Sequence, residues 1–203
     1  MYIKFFKNLL DFILSLLAIV ILFPFFLIFG IIIKLESKGP IFFRQERIGK
    51  NKKHFKIYKF RTMRTDTPKD IPTHMLKNPD AYITKFGHFM RRTSIDELPQ
   101  IINILKGEMS IIGPRPALWN QDNLLEERDK YGANNIKPGL TGWAQINGRD
   151  ELPIPVKAKF DGEYANKISF LFDLKIFFMT IIKVFKHDGF VEGDTSDNKG
   201  ADL

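Results

Sequence analysis

Two adjacent carboxylates, Asp96 and Glu97, precede a short apolar run in the stretch Thr93-Ser-Ile-Asp-Glu-Leu-Pro-Gln-Ile-Ile-Asn-Ile-Leu-Lys-Gly107. An arginine follows, Arg115, flanked by Pro114 and Pro116. Two adjacent carboxylates cannot comfortably both stay bare, so they want a divalent cation. Proline restricts the backbone on both sides of Arg115. A guanidinium held that way can grip a phosphate with two parallel hydrogen bonds. Acid pair and fixed arginine, in a basic chain that begins with a membrane-like segment, point to phosphate chemistry at a bilayer surface.

The local elements must hold these groups in place. Pro99 has no N–H and suits the first turn of a helix, and Ile101, Ile102, Ile104 and Leu105 have helical spacing. The pattern predicts a helix from about Leu98 to Lys106, stopped by Gly107. Asp96 and Glu97 would then stand just ahead of its N-terminus, where the helix end favours anions. Ser94-Ile-Asp-Glu97 also matches a capping box, with Glu97 bonding back to the Ser94 backbone. That register puts Pro99 in the second turn, where it breaks a hydrogen bond, and is disfavoured.

The 203 residues can bury one core. Lys plus Arg number 31 against 23 acids, a formal net charge of +8, which suits an anionic partner: nucleic acid, an acidic bilayer face or a phosphorylated substrate. There is no cysteine, so disulfides, a thiolate nucleophile and a cysteine metal site are excluded. The four histidines, His54, His74, His88 and His187, are scattered without zinc-ligand spacing.

No charged residue occurs between Phe12 and Ile33, a run long enough to cross a hydrocarbon core of about 30 Å. The run is too long for a signal peptide and lacks a small-residue cleavage site. Pro24 in its middle breaks a helical hydrogen bond. Lys4 and Lys7 precede it and Lys34 and Lys38 follow, so the positive-inside tendency puts both ends on the cytoplasmic face. A helix that enters, bends at Phe23-Pro24 and returns satisfies both observations, and an ordinary single span with a tolerated proline is the alternative. Asp11 is expected to pair with Lys7 or a later basic residue. Residues 1–38 are read as this re-entrant helix, 39–187 as a catalytic domain at the cytoplasmic face, and 188–203 as a polar, disordered tail.

Within the domain, Ile41–Ile48 and Phe55–Thr62 read as strands around the basic turn Gly49–Lys53. Arg47 and the stretch from Lys59 to Arg64 make a basic strip, for which a solvated or lipid-contacting strand face is the alternative. Three prolines mark Thr65–Asp80 as a loop, and Tyr82–Arg92 and Ala117–Tyr131 read as helices. The glycine-rich segment from Lys137 to Arg149 could wrap a nucleotide, with Trp143 stacking and Arg149 meeting a phosphate. It lacks P-loop or dinucleotide spacing, and a turn-rich connector is the alternative. Val156–Tyr164 is helical, with Asp161 and Tyr164 on one side. Ser169–His187 is a Phe-rich amphipathic helix suited either to the bilayer interface or to the core.

Together these motifs resemble the small monotopic phosphoglycosyl transferases of the bacterial sugar transferase family. The resemblance runs from Met1 to about His187. It rests on the kinked anchor, Tyr58-Lys-Phe-Arg-Thr-Met63, Asp96-Glu-Leu-Pro-Gln100, Gly113-Pro-Arg-Pro116, Lys137-Pro-Gly-Leu-Thr-Gly142 and Ala144-Gln-Ile-Asn-Gly-Arg149. Many members carry Ser-Pro where this chain has Phe23-Pro24. The resemblance implies an α/β fold, helix-rich with a short sheet, plus a re-entrant helix and interfacial amphipathic helices. It implies transfer of a sugar-1-phosphate from a UDP-sugar to polyprenol (undecaprenyl) phosphate at the cytoplasmic face of the bacterial inner membrane. UMP leaves, and the reaction passes through a covalent aspartyl intermediate. This would be the first membrane step of capsule, O-antigen, exopolysaccharide or glycoprotein glycan assembly.

On this resemblance Asp96 matches the nucleophile and Glu97 its partner, the two together holding Mg2+. Arg115 matches the phosphate-binding arginine, with Lys59 steadying the pair or a phosphate. Gln145, Asn147 and Arg149 are candidates for nucleotide contacts, and Asp161 would pair with a basic residue to hold the site together. Ala117-Leu-Trp-Asn-Gln121 and Arg149-Asp-Glu-Leu-Pro153 are similar to members acting on acetamido sugars, including dideoxy ones. Membrane lipids are implied partners, nucleic acid is not, and a homodimer through the soluble domain is an open expectation. The rival readings are a UDP-releasing glycosyltransferase, whose Asp-x-Asp motif is missing, and a non-catalytic basic membrane scaffold.

Overall fold

The computed structural model describes residues 2–67, 79–148 and 152–186. The tail expected over 188–203 and Arg149 lie outside the described residues. A π-helical turn, Tyr2–Phe6, leads into α1, Lys7–Glu36. Strands β1 (Phe42–Ile48) and β2 (His54–Phe60) follow, then α2 (Lys85–Arg92), a 3₁₀ segment Ile95–Gln100, and α3 (Ile101–Leu105). After these come β3 (Ser110–Ile112), β4 (Ala117–Leu118), α4 (Asp122–Asp129), β5 (Gly139–Thr141), α5 (Trp143–Ile146), α6 (Ile154–Lys167) and α7 (Phe170–Lys186). The fold is helix-rich with little sheet, as the α/β expectation held.

β1 and β2 form an antiparallel hairpin from Phe42↔Phe60 to Ile48↔His54, and β4 pairs on the other edge of β1 through Ile48↔Ala117. β3 and β5 run parallel, with Ser110 opposite Gly139 and Ile112 opposite Thr141. Side chains alternate along β2, so Lys59 shares a face with the buried Phe55 and Ile57. That face carries Ile104 and Met109 on its far side, packed into one cluster. Lys59 thereby points along the inward side of the hairpin.

Two expected helices begin elsewhere than predicted. Ala117 and Leu118 are strand, and α4 starts at Asp122, because β1 offers Ala117 and Leu118 ladder partners and the Gln121 carboxamide accepts from the Leu118 N–H at 2.8 Å. The helix expected from Leu98 splits into the 3₁₀ segment Ile95–Gln100, with Pro99 inside it, and the short α3. Gly107, at φ 76°, closes this stretch as expected.

α1 is one element with Pro24 inside it, spanning about 45 Å at 1.5 Å per residue. Among the described residues it is the one helix long and apolar enough to cross a membrane, and only 11% of its most apolar stretch is covered by the rest of the protein. What is covered lies at its two ends. Near the start, Lys7 Nζ donates to Asp173 Oδ2 of α7 at 2.7 Å, and the Tyr2 and Tyr164 hydroxyls donate to the same carboxylate. Asp11 takes the Ile111 N–H at 3.0 Å rather than pairing with Lys7 as expected, since Asp173 has claimed that lysine. Near the end, Ile33 packs with Phe60 and Met90. The buried Arg61 donates to the carbonyls of Ile33, Ser37 and Lys38, capping the last turn of α1. Both ends of one helix are thus bound to the same domain.

α7 buries Asp173 and Ile176, with Phe172 and Met179 beside them. Its other side is also apolar: Leu171, Leu174, Phe177, Phe178 and Ile181 are exposed.

Candidate active site

The acid pair occupies the first turn of the 3₁₀ segment rather than the space ahead of a helix. Ser94, at φ 57°, turns the chain from α2 into this segment in the left-handed region that a non-glycine residue rarely adopts. The Ser94 side chain caps nothing, and Glu97 does not reach back to close the capping box. Its carboxylate turns to two cations instead. Lys59 Nζ donates to Oε1 at 2.7 Å, Arg115 Nη2 donates to Oε1 at 2.9 Å and Arg115 Nη1 to Oε2 at 3.3 Å. Sequence positions 59, 97 and 115 therefore meet at one point.

The two acids are driven apart in charge. Burial disfavours ionisation of Glu97, but Arg115 and Lys59 outweigh it and hold this carboxyl well below the usual carboxylate range. Burial pushes the Asp96 carboxyl up to about 6, against the attraction of Lys59 and with the help of the Glu97 charge. Among the described residues the Asp96 carboxylate accepts no hydrogen bond, so it remains chemically available beside a tightly held neighbour.

Arg115 is fixed through its backbone. Proline lacks an N–H, so the carbonyls of Pro114, Arg115 and Pro116 need donors from elsewhere. They receive the Gly139 N–H at 2.8 Å, Arg128 Nη2 at 2.9 Å and Arg47 Nη1 at 3.1 Å, respectively. The Gly113 N–H adds a bond to the Thr141 carbonyl at 2.9 Å. Glycine is required where β3 and β5 meet: a Cβ on Gly139 would stand 2.1 Å from the Gly113 nitrogen, and one on Gly142 would stand 2.0 Å from the Gly113 oxygen.

This arrangement accords with the comparisons. Residues 2–187 match the family model described as bacterial sugar transferase. The chain belongs to the bacterial sugar transferase family. It is 41% identical over 182 residues to the UDP-glucose:undecaprenyl-phosphate glucose-1-phosphate transferase of Escherichia coli (strain K12), which covers 86% of this chain and 39% of that protein. It is 42% identical over 158 residues to the uncharacterized sugar transferase EpsL of Bacillus subtilis (strain 168), covering 78% of this chain and 76% of that one. The exopolysaccharide production protein PSS of Rhizobium leguminosarum bv. phaseoli is 39% identical over 186 residues, with 87% and 93% covered. The chain spans about two fifths of the length of the first of these relatives.

In this chain the other expected site residues are distributed unevenly. Asp161 does find a basic partner, Arg128: its Oδ2 accepts from Nε at 2.8 Å and lies 2.6 Å from Nη2 in a buried ion pair. Gln145 donates to the Leu140 carbonyl at 3.2 Å and Asn147 to the Trp143 carbonyl at 2.7 Å, so both brace the turn after β5. Trp143 is not an open stacking platform. Its indole N–H donates to Glu163 at 3.1 Å, and its ring packs edge-on to Phe160 and Phe172 with Lys175 across it. A tryptophan with apolar neighbours on two elements and a carboxylate in reach is used by the core. Arg128 was missed in the sequence and Arg47 entered only as part of the basic strip, because nothing in their spacing links them to Arg115; the unmet carbonyls of a Pro-Arg-Pro segment were the available signal. Arg91 contributes as well, bonding Thr62 Oγ1 at 2.9 Å and favouring ionisation of Asp96.

Among the described residues no group of three or more His, Asp or Glu side chains gathers as a metal cage. Of the two carboxylates expected to hold a cation, Glu97 has both oxygens engaged by Lys59 and Arg115, and Asp96 lies beside it.

Proposed function

We propose that this chain transfers a sugar-1-phosphate from a UDP-sugar to a polyprenol phosphate and releases UMP. The observation that carries the reading is the division of labour in the acid pair. Glu97 is locked to Lys59 and Arg115, while Asp96, without a hydrogen bond among the described residues, sits beside them. The names of relatives that transfer glucose-1-phosphate from UDP-glucose to undecaprenyl phosphate support it.

In the first step an Asp96 carboxylate oxygen attacks the sugar-bearing phosphorus. The bond from that phosphorus to the bridging oxygen breaks, and UMP departs with that oxygen and its electron pair. In the second step a polyprenol phosphate oxygen attacks the same phosphorus and displaces the Asp96 carboxylate. A covalent intermediate splits one hard displacement into two. Arg115 and Lys59 face the charge that collects on the phosphoryl oxygens, where fixed cations in a partly dry site act most strongly. Asp96 needs its ionised form to attack.

The acid pair fits magnesium. The ion binds through one or two carboxylates together with substrate phosphates and water, and needs no full protein cage. Asp96, with Glu97 beside it, would hold it, and when bound it supplies neutralisation of the diphosphate charge.

The tying of both α1 ends to one domain supports re-entrant insertion from the cytoplasmic face, since a helix that crossed fully would carry one end away from its partners. The exposed apolar side of α7 supports its lying in the interface. Such a mount holds the acid pair at the height of a lipid head group.

The deciding experiment measures UMP release with magnesium, undecaprenyl phosphate and a panel of donors, for wild type and Asp96→Asn. The panel includes UDP-glucose, UDP-galactose and acetamido-dideoxy UDP-sugars; a strict preference for the first two removes the acetamido reading. Lipid-dependent UMP lost in the variant is the expected result. Release of UDP instead would move the protein to the glycosyltransferase class.

A further inference from the structure

The Pro-Arg-Pro segment cannot brace itself, and one of its three borrowed donors acts on Arg115 directly. That donor is Arg128, on α4, whose Nη2 meets the Arg115 carbonyl at 2.9 Å. Arg128 is 4% exposed and its partner Asp161, on α6, is 1% exposed. Asp161 Oδ2 accepts from Arg128 Nε and lies 2.6 Å from Nη2, so the bond to the carboxylate on one edge and the bond to the Arg115 carbonyl on another hold the guanidinium in place. A buried ion pair is poor evidence of stabilisation in itself, since well-packed apolar side chains often serve as well. A planar fork with donors on several edges can meet a carboxylate and a carbonyl together; an ammonium is a single point charge. The position calls for that fork because one carbonyl and one carboxylate must be satisfied from the same group.

We infer that Arg128, held by Asp161, is a positioning residue for Arg115, setting the backbone from which Arg115 reaches the substrate phosphate. This rests on the reaction proposed above. Arg128 touches no reacting group. It acts by fixing the peptide that carries the Arg115 side chain, and a displacement of about 1 Å in such a side chain costs on the order of 100-fold in rate. The rival is a purely structural pair that joins α4 to α6.

A double-mutant cycle on the protein in lipid nanodiscs separates the two. Arg128→Lys is made in wild type and in Arg115→Lys, and both UDP–magnesium binding by calorimetry and kcat/KM for UMP release are measured. The expected result is a loss of roughly 10- to 100-fold from Arg128→Lys in wild type, shrinking to less than about two-fold when Arg115 is already lysine. The same factor in both backgrounds, or no loss in either, overturns the inference. Asp161→Asn keeps the shape of the side chain and is carried through the same cycle, so that a folding defect in one variant does not decide the matter. A wild-type protein that binds UDP yet releases no UMP would sink the proposed reaction, and the binding cycle alone would then decide the role of Arg128.

Discussion

Glu97 and Arg115, 18 residues apart, meet through two hydrogen bonds, of 2.9 and 3.3 Å. Lys59 joins the same carboxylate, and the Asp96 carboxyl responds to all three charges. Lys59→Met removes the strongest influence favouring Asp96 ionisation, so the acid limb of the kcat/KM profile moves above pH 6 while the plateau falls about 100-fold. Glu97→Gln removes a negative neighbour and moves the limb the other way. Two pH profiles of UMP release check both directions.

Asp96 also ties stability to pH. Its carboxyl is raised from 3.8 to about 6 on folding, so the folded state favours the protonated form. That contribution is full below pH 4 and is lost as the pH rises through 6, to the extent of roughly 3 kcal/mol, at 1.36 kcal/mol per pH unit. Asp96→Asn has no such loss. Its melting temperature should exceed that of wild type clearly at pH 7.5 and only slightly at pH 4, and an equal gap at both would contradict the assignment.

Gly139→Ala tests the seam under Arg115. The added methyl meets backbone at 2.1 Å, which no side-chain rotation relieves. Unfolding free energy should fall by about 3 kcal/mol, with UMP release falling too as Pro114 and Arg115 are displaced. Retained stability in a denaturant titration would mean that the β3–β5 contact can open.

The absence of cysteine makes topology simple to probe. Single cysteines at Asn8 and Lys38 should both react with a membrane-impermeant maleimide in inside-out vesicles, and neither in right-side-out ones. Labelling of one from each side would establish a full crossing.

Lys7→Met leaves the buried Asp173 carboxylate, among the described residues, with the Tyr2 and Tyr164 hydroxyls as its side-chain donors. The loss should be roughly 3 kcal/mol, read as a lower melting temperature in nanodiscs. Arg61→Lys, which keeps one donor group for three carbonyls, should weaken the other end of α1 by about 2 kcal/mol.

Asp96, Glu97 and Arg115 stood out in the sequence by type, adjacency and proline context, while Lys59 and Asp161 came as site residues only from the family resemblance; the structure brings Lys59, Glu97 and Arg115 together and pairs Asp161 with Arg128. The hairpin was legible through strand alternation on both sides of a basic turn, and α7 through its apolar pattern. Local pattern misled where a partner from far along the chain prevailed. β1 converts Ala117 and Leu118 from helix to strand, Asp173 takes Lys7 from Asp11, and the core takes Trp143 from solvent. No reading of neighbours along the sequence contains those competitions. Arg128 stayed hidden for the same reason, since its role exists only once α4 and the Pro-Arg-Pro segment are side by side.

The grip on α1 also orders events during synthesis. Lys7 leaves the ribosome 166 residues before Asp173, and Asn8 long before Lys137, which donates to it at 2.9 Å. A basic side chain at the start of α1 must therefore wait for its partner until α7, the last of the described helices, is made. Insertion and folding then finish together, because α7 is at once the closing piece of the core and the latch on the membrane helix. Truncation within α7 would leave a chain that enters the bilayer and never completes its catalytic domain.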